Sequence, residues 1–279
     1  MQEKNVGIDL PKSHYYTERW FPNWRDRYTV NWMINRKCNF NCIYDIRPPE
    51  SIINIDVDEL VNRLREIQPL RLVITGGEPL LRPELIEICQ RVGEFGILEI
   101  QSNFSVGVRK LLDSINPKSI ERFFTTYHPQ ERKGEWTKKK FVEDVHYARN
   151  KGFKVDVFFV DFPDFADWFL DECKWLYEQG ITPIRKRYNG DWKDIRYIGD
   201  AAVFKGKRCN AGHKMACMWE DFSLTWCDTG RSLLGNLMTE YKFLSFPVIC
   251  PCEFCGCLGR EALREEVWDE FYQCYFGSS

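Results

Sequence analysis

Apolar positions recur with a clear period through most of the first 190 residues. Tyr28–Asn35 sets Val30, Trp32 and Ile34 at every second position, the period of a strand with one buried face. Val57, Leu60, Val61, Leu64 and Ile67 then recur at helical spacing. Leu72-Val73-Ile74 is a short apolar run that stops at Gly76-Gly77, and Pro83 opens a helical face made of Leu85, Ile86, Cys89 and Val92. The same alternation predicts a strand over 97–102, a short helix to about Ser114, a strand over Phe123–Tyr127 and a helix over 137–151. It continues with a strand over 155–160, a helix over 165–179 and a last strand over 181–187. Strands alternating with helices in this way imply an α/β fold with a parallel sheet. Six units are too few for a closed eight-stranded barrel. A curved, partly open barrel and an open doubly wound sheet both fit the pattern.

Cysteine placement changes the picture beyond that point. Of twelve cysteines, Cys38 and Cys42 lie near the start, Cys89 and Cys173 stand alone inside helical patterns, and eight fall between 209 and 274. A boundary is expected near 190–205, where Asn189-Gly190-Asp191 offers a turn. The chain thus divides into an aromatic, proline-containing extension over 1–27, an α/β unit over 28–190 and a cysteine-rich unit over 191–279. The stretch Met1 to Pro11 lacks the apolar core of a signal peptide. No apolar run approaches the roughly 20 residues that span a bilayer. The expectation is a soluble, cytoplasmic protein with no membrane partner. In such a reducing compartment the cysteines are candidates for metal binding before disulfides. Cys89 and Cys173 are expected to be buried structural thiols. The formal net charge of −2 gives no basic field for nucleic acid. Lys138-Lys139-Lys140 reads as a solvated helix face.

Cys38-Asn39-Phe40-Asn41-Cys42-Ile43-Tyr44-Asp45 follows the first strand directly. Closely spaced thiolates on a loop are what an iron–sulfur cluster requires. With its Asn-Phe-Asn filler and the aromatic residue before the last position, the segment resembles the CxxxCxxC motif of the radical S-adenosylmethionine superfamily. In that family three cysteines hold a [4Fe–4S] cluster whose fourth iron binds the nucleotide. Cys38 and Cys42 match, and Asp45 stands where the third cysteine would be. Three readings of Asp45 are open: an oxygen ligand to iron, an engineered replacement of cysteine, or the mark of a site that has lost its cluster.

Thr75-Gly76-Gly77-Glu78-Pro79 follows the second strand, where glycines let the backbone approach a ligand. It resembles the superfamily's GGEP element, which implies that the backbone carbonyls and Glu78 meet the methionyl ammonium. The resemblance further implies that Tyr44 meets adenine and that Ser102, Asn103 and Thr126 make polar nucleotide contacts. Arg185 would hold a carboxylate at the barrel mouth. His128, in Thr125-Thr126-Tyr127-His128-Pro129, reads either as a contact to substrate or nucleotide or as a strand-end residue capping the turn before Pro129.

Cys209-Asn210-Ala211-Gly212, Cys227, Gly235-Asn236-Leu237 and the tight group Cys250-Pro251-Cys252-Glu253-Phe254-Cys255-Gly256-Cys257 resemble SPASM and Twitch extensions, which carry auxiliary clusters. The final group is compressed relative to the seven-cysteine form. The resemblance therefore implies one auxiliary [4Fe–4S] cluster on Cys209, Cys227, Cys255 and either Cys252 or Cys257. A second cluster using Cys217, Cys250 and Cys274 stays open, as does zinc.

Taken over the chain, the resemblance implies a partial (β/α)6 barrel with a small C-terminal auxiliary-cluster domain. It implies an enzyme that cleaves S-adenosylmethionine reductively to a 5′-deoxyadenosyl radical and abstracts hydrogen from a substrate. A flavodoxin or ferredoxin would supply the electron. With 37 residues before Cys38, a peptide-recognition domain is not expected ahead of the barrel, which favours oxidation of a small molecule such as a sugar, aminocyclitol or amino-acid derivative. Modification of a ribosomally made peptide is the alternative. An electron-transfer or scaffold protein without catalysis, and a zinc-stabilised binding module, are readings of another class.

Overall fold

Alternation along Tyr28–Asn35 produces β1, the hub of the sheet. Val30, Trp32 and Ile34 bury one face in the main core, while Thr29 and Asn31 are buried on the other. The computed structural model describes residues 27–43, 53–162, 166–187, 206, 208–227 and 232–250. Along the first half run α1 (Val57–Arg65), β2 (Leu70–Gly76), α2 (Leu85–Val92), β3 (Ile97–Ser102), α3 (Val108–Ser114) and β4 (Ile120–Tyr127). There follow α4 (Glu135–Asn150), β5 (Val155–Asp161), α5 (Ala166–Glu178) and β6 (Ile184–Arg187). β7 (Arg208–Cys209), β8 (Met215–Met218), β9 (Ser223–Thr225), β10 (Leu233–Asn236) and β11 (Val248–Ile249) complete the order.

Among the described residues β1 to β6 lie side by side in chain order, all parallel. A doubly wound sheet would reverse that order at a switch point. The observed winding is that of a partial barrel. β8 pairs parallel to the free edge of β1, Thr29 opposite Met215 and Trp32 opposite Met218, and the antiparallel β9 and β10 extend the sheet further. The cysteine-rich segment therefore contributes strands to the same sheet as β1. A separate two-stranded ladder joins β7 to β11.

Helices cover the apolar face. In α1, Leu60, Val61 and Leu64 are buried, the stripe expected of a helix lying on a sheet. Asp56 caps this helix by accepting from the Glu59 N–H at 3.0 Å. Asp56→Ala should cost about 1 kcal/mol, the usual worth of an N-cap, read from urea unfolding. Cys89 is fully buried on α2, and burial pushes its thiol up to about 12, as suits a structural cysteine. Cys173 packs partly buried against the core. The lysine run on α4 is neutralised within the protein: Lys138 pairs with Glu172, Lys139 with Glu135 at 2.6 Å and Lys140 with Asp144. No helix among the described residues is long and apolar enough to cross a membrane.

The inner face of the barrel is polar. Arg71 on β2 is 1% exposed and donates to Glu99 on β3 at 2.5 Å and to Glu121 on β4 at 2.8 Å. Gln101 donates to Glu99 at 3.2 Å, and Arg122 pairs with Asp156 on β5 at 3.1 Å. Charges buried this deeply need partners, and the ladder of alternating signs supplies them across neighbouring strands.

Candidate active site at the C-terminal strand ends

Four consecutive strand ends converge on the loop that carries the first two cysteines. At the end of β1, Asn35 donates its side-chain amide to the Glu78 carbonyl at 2.9 Å, and its carbonyl accepts the Gly77 N–H at 2.9 Å. The Glu78 N–H donates to the Lys37 carbonyl at 2.7 Å. The end of β2 is thereby laced to the chain immediately before Cys38. This lacing explains both glycines. A Cβ on Gly76 would lie 2.2 Å from the Asn35 oxygen, and one on Gly77 would lie 2.2 Å from the Lys37 oxygen. Gly76 also holds φ at +127°, a conformation open chiefly to glycine. Here the glycines permit contact between two backbone segments, which the sequence reading had assigned to ligand approach.

Glu78, expected to meet an ammonium group, is fully buried with both carboxylate oxygens engaged by the protein. Oε1 accepts from the Leu80 N–H and the Ser102 hydroxyl, each at 2.9 Å, and Oε2 accepts from the Asn103 N–H at 2.7 Å. Burial pushes its pKa up, opposed by these three donors and by the charge of Arg132. Pro79 is buried and opens a single 3-10 turn. Ser102 is likewise occupied: its hydroxyl also accepts the Phe104 N–H at 3.0 Å. Both residues brace the site from behind.

Asn103 points its side chain toward the cysteine loop. Its Nδ2 lies 3.1 Å from the Asn39 Oδ1 and 3.7 Å from the Cys38 sulfur. The Phe40 N–H donates to the same sulfur at 3.4 Å. Cys42 is buried, and its sulfur lies 3.3 Å from Nδ1 of His128, just past β4. The His128 carbonyl accepts the Glu131 and Arg132 N–H groups at 3.1 Å each, so its backbone opens the turn while its ring reaches the cysteine. Thr126 sits half-buried near the end of β4, on the inner face beside Phe158. Arg185 lies on β6 in register with Phe159; its side chain lies outside what the structure describes.

Sequence reasoning missed Arg132. This arginine is 4% exposed, donates to the Asn103 carbonyl, and lies over the rings of Phe40 at 5.3 Å and Phe141 at 4.4 Å. Burial lowers its pKa to about 10, which still leaves it charged at neutral pH. Its sequence neighbourhood, His128-Pro129-Gln130-Glu131-Arg132-Lys133-Gly134, reads as an ordinary exposed loop. Arg36, beside the cysteine loop, pairs at 3.1 Å with the buried Glu220 between β8 and β9, tying the loop to the C-terminal strands.

Tyr44 and Asp45 lie outside the described residues, as do Cys252, Cys255 and Cys257. Of the other auxiliary candidates, Cys209 is buried on β7 and its sulfur accepts the Ala211 N–H at 3.4 Å. Cys227 follows β9, with its carbonyl accepting from the Thr225 hydroxyl at 3.0 Å. Pairing of Val248 with Cys209 brings the chain bearing Cys250 to the same place. Among the described residues no three His, Cys, Asp or Glu side chains are grouped to hold a metal.

The donor chemistry of the first site nonetheless suits an iron–sulfur cluster. N–H donors around a sulfur favour thiolate, the form that binds metal. The Cys38 sulfur has one in the Phe40 N–H, and the Cys42 sulfur has the His128 Nδ1 at 3.3 Å, a donor in one of the two ring tautomers.

No family model matches the chain. A Methanocaldococcus jannaschii protein named for activation of glycyl-radical enzymes is 27% identical over 147 residues, 49% of this chain and 57% of the relative. The GTP 3′,8-cyclase of Aquifex aeolicus is 27% identical over 164 residues, 53% of this chain and 51% of the relative. The chain spans about half the length of these curated relatives. Among solved structures, anSMEcpe with bound AdoMet and a peptide superposes with a TM-score of 0.58 at 12% identity, covering 76% of this chain and 78% of that one. Streptococcus suis SuiB bound to S-adenosylmethionine gives 0.55 at 11% identity, covering 78% and 62%. In sequence the chain is similar to these relatives, and in fold it is similar to two proteins whose structures hold S-adenosylmethionine.

Proposed function

We propose that the protein binds a [4Fe–4S] cluster through Cys38, Cys42 and Asp45 and uses it to cleave S-adenosylmethionine. The observation that carries this reading is the pair of sulfurs at the β1–β4 ends, each beside a nitrogen, on a loop whose preceding residues Asn35 and Lys37 are laced to Gly77 and Glu78. When bound, cluster and nucleotide supply one-electron reductive cleavage of the sulfonium and a 5′-deoxyadenosyl radical able to take a hydrogen atom. The chain's own residues bind and orient. The Gly76 and Gly77 carbonyls would receive the methionyl ammonium, with Tyr44, Asn103, Thr126 and Arg185 around the rest of the nucleotide. Glu78 and Ser102 hold that backbone in place. Cys209 and Cys227, with two of Cys252, Cys255 and Cys257, would carry one auxiliary cluster.

Half-buried Thr75, Gln101 and Thr126 line the inner face with polar groups, Thr75 donating to Gln101 at 3.3 Å. This supports a polar small molecule, such as a sugar, aminocyclitol or amino-acid derivative, as the compound oxidised. The peptide bound to anSMEcpe motivates peptide as the second substrate class to assay.

The test is anaerobic reconstitution with iron and sulfide, followed by dithionite and S-adenosylmethionine and quantification of 5′-deoxyadenosine. The parent should form product, and Cys38→Ala and Cys42→Ala should lose at least about a hundredfold, since ligand loss removes the electron source. Loss in Asp45→Ala would identify an oxygen ligand. A parent with full iron and sulfide content but no product, rescued by Asp45→Cys, would instead mark Asp45 as the lesion. Zinc in place of iron and labile sulfide would sink the reading.

A further inference from the structure

A ligand sulfur that receives a hydrogen bond from a fixed side chain is a place where a protein sets a cluster's potential. His128 occupies such a place. Its Nδ1 lies 3.3 Å from the Cys42 sulfur, although the two residues are 86 positions apart. The ring is held on more than one side. Phe40, from the cysteine loop itself, meets it edge-to-face at 5.5 Å between centroids. Phe40 lies in turn under the Arg132 guanidinium, which rests on Phe141 of α4. The His128 carbonyl is pinned by the Glu131 and Arg132 N–H groups. Cys42 is 7% exposed, so water competes little for its sulfur.

We propose that His128 is a tuning residue whose Nδ1–H donates to the Cys42 thiolate and raises the midpoint potential of the cluster. This rests on the reading of Cys42 as an iron ligand. Hydrogen bonds to ligand sulfur draw electron density from the cluster and stabilise its reduced, more negative state. Burial strengthens such a bond. A thiolate bound to iron has no proton to offer, so the imidazole is the donor. The sequence reading gave His128 a contact to substrate or nucleotide, or a turn cap; the geometry points to the cluster ligand.

The experiment compares parent, His128→Phe and His128→Gln as reconstituted proteins, with iron and sulfide counted in each. His128→Phe keeps the ring against Phe40 and removes the donor, while His128→Gln keeps an N–H without the ring. At fixed poise, His128→Phe should lower the reduced-to-oxidised ratio about tenfold, which is about 59 mV for one electron. His128→Gln should recover most of that shift. Pulsed electron paramagnetic resonance of the reduced parent should show a histidine nitrogen coupling, sensitive to 15N-histidine labelling and lost in His128→Phe. That readout holds even if the Phe variant loads cluster poorly. An unshifted potential in a fully loaded His128→Phe protein would overturn the proposal and leave the cluster reading intact. A raised nucleotide Kd with no change in potential would return His128 to nucleotide contact. A parent that takes up no iron would overturn the proposal together with the reading beneath it.

Discussion

Replacing Gly76 with alanine is expected to lower S-adenosylmethionine cleavage at least about a hundredfold and to cost about 4 kcal/mol of stability. Two separate effects meet at this residue. Its φ of +127° disfavours any side chain, for about 2 kcal/mol. The added Cβ would lie 2.2 Å from the Asn35 oxygen and 3.2 Å from the Asn35 nitrogen, so backbone must move, for about 2 kcal/mol more. The direction of that movement gives the functional effect. Asn35 stands three residues before Cys38 and is bonded to both Gly77 and Glu78. Pushing it away shifts the cysteine loop relative to the Gly76-Gly77-Glu78 backbone, and a misplacement of about 1 Å costs about a hundredfold in rate. Gly77→Ala is the graded comparison. It meets the Lys37 carbonyl at 2.2 Å without the positive φ, so its stability loss should be nearer 2 kcal/mol. Urea unfolding gives the stability, and 5′-deoxyadenosine per cluster in one turnover gives the function. A Gly76→Ala protein with the parent's cleavage rate would show that the lacing does not position the loop.

The sheet was legible wherever one face is apolar and the other does not interrupt it. Tyr28–Asn35 and Ile97–Ser102 appear with the boundaries that alternation predicts. Leu72-Val73-Ile74 was read too short because Arg71 and Thr75 look like strand ends, and Phe123–Tyr127 began late because Glu121 and Arg122 precede it. In the structure these residues are strand interior. Arg71, Glu121 and Arg122 belong to the ladder of buried charges on the barrel's inner face. A single sequence shows charges in a strand but not the partners two strands away that make their burial tolerable. For the same reason β8 was invisible: its four residues gain meaning only from pairing with Thr29–Trp32, far away in the chain. At the candidate site, Cys38, Cys42 and Gly76-Gly77-Glu78 stood out in the sequence because they form local motifs. The division of labour was not. Glu78 and Ser102 carry polar groups suited to ligand contact, and only the fold shows those groups spent on each other. Arg132 gave no local signal, since its role depends on Phe40, Asn103 and Phe141.

Glu78 and Arg132 are two buried charges of opposite sign in the brace behind the site, and removing either alone should cost more than removing both together would suggest. Glu78→Gln keeps an oxygen for the Leu80 N–H and the Ser102 hydroxyl but turns its NH2 toward the Asn103 N–H. It also removes one of the charges that offset Arg132, leaving Asp144 as the remaining carboxylate, for about 2 kcal/mol in all. Arg132→Met keeps contact with Phe40 and Phe141 but loses the bond to the Asn103 carbonyl and the one charge that offsets Glu78, for about 3 kcal/mol. The double variant should be less unstable than the sum by about 1–2 kcal/mol, the coupling of one electrostatic unit. Acidity distinguishes this from loss of packing. The Glu78 pKa already stands above its ordinary 4.5 in the folded protein because burial outweighs its donors and Arg132. Without Arg132 it rises further. A carboxyl whose folded pKa is raised contributes stability that is full below about 4.5 and is lost as pH climbs through the folded value. Arg132, with a pKa of about 10, stays charged in the parent across this window. Arg132→Met should therefore be more destabilising at pH 8 than at pH 5, and Glu78→Gln in the same background should remove that difference. Urea unfolding of the four proteins at the two pH values measures both the coupling and its pH dependence. Equal costs at pH 5 and pH 8 would mean that Arg132 serves the site through its ring contacts and the Asn103 carbonyl, with no electrostatic share.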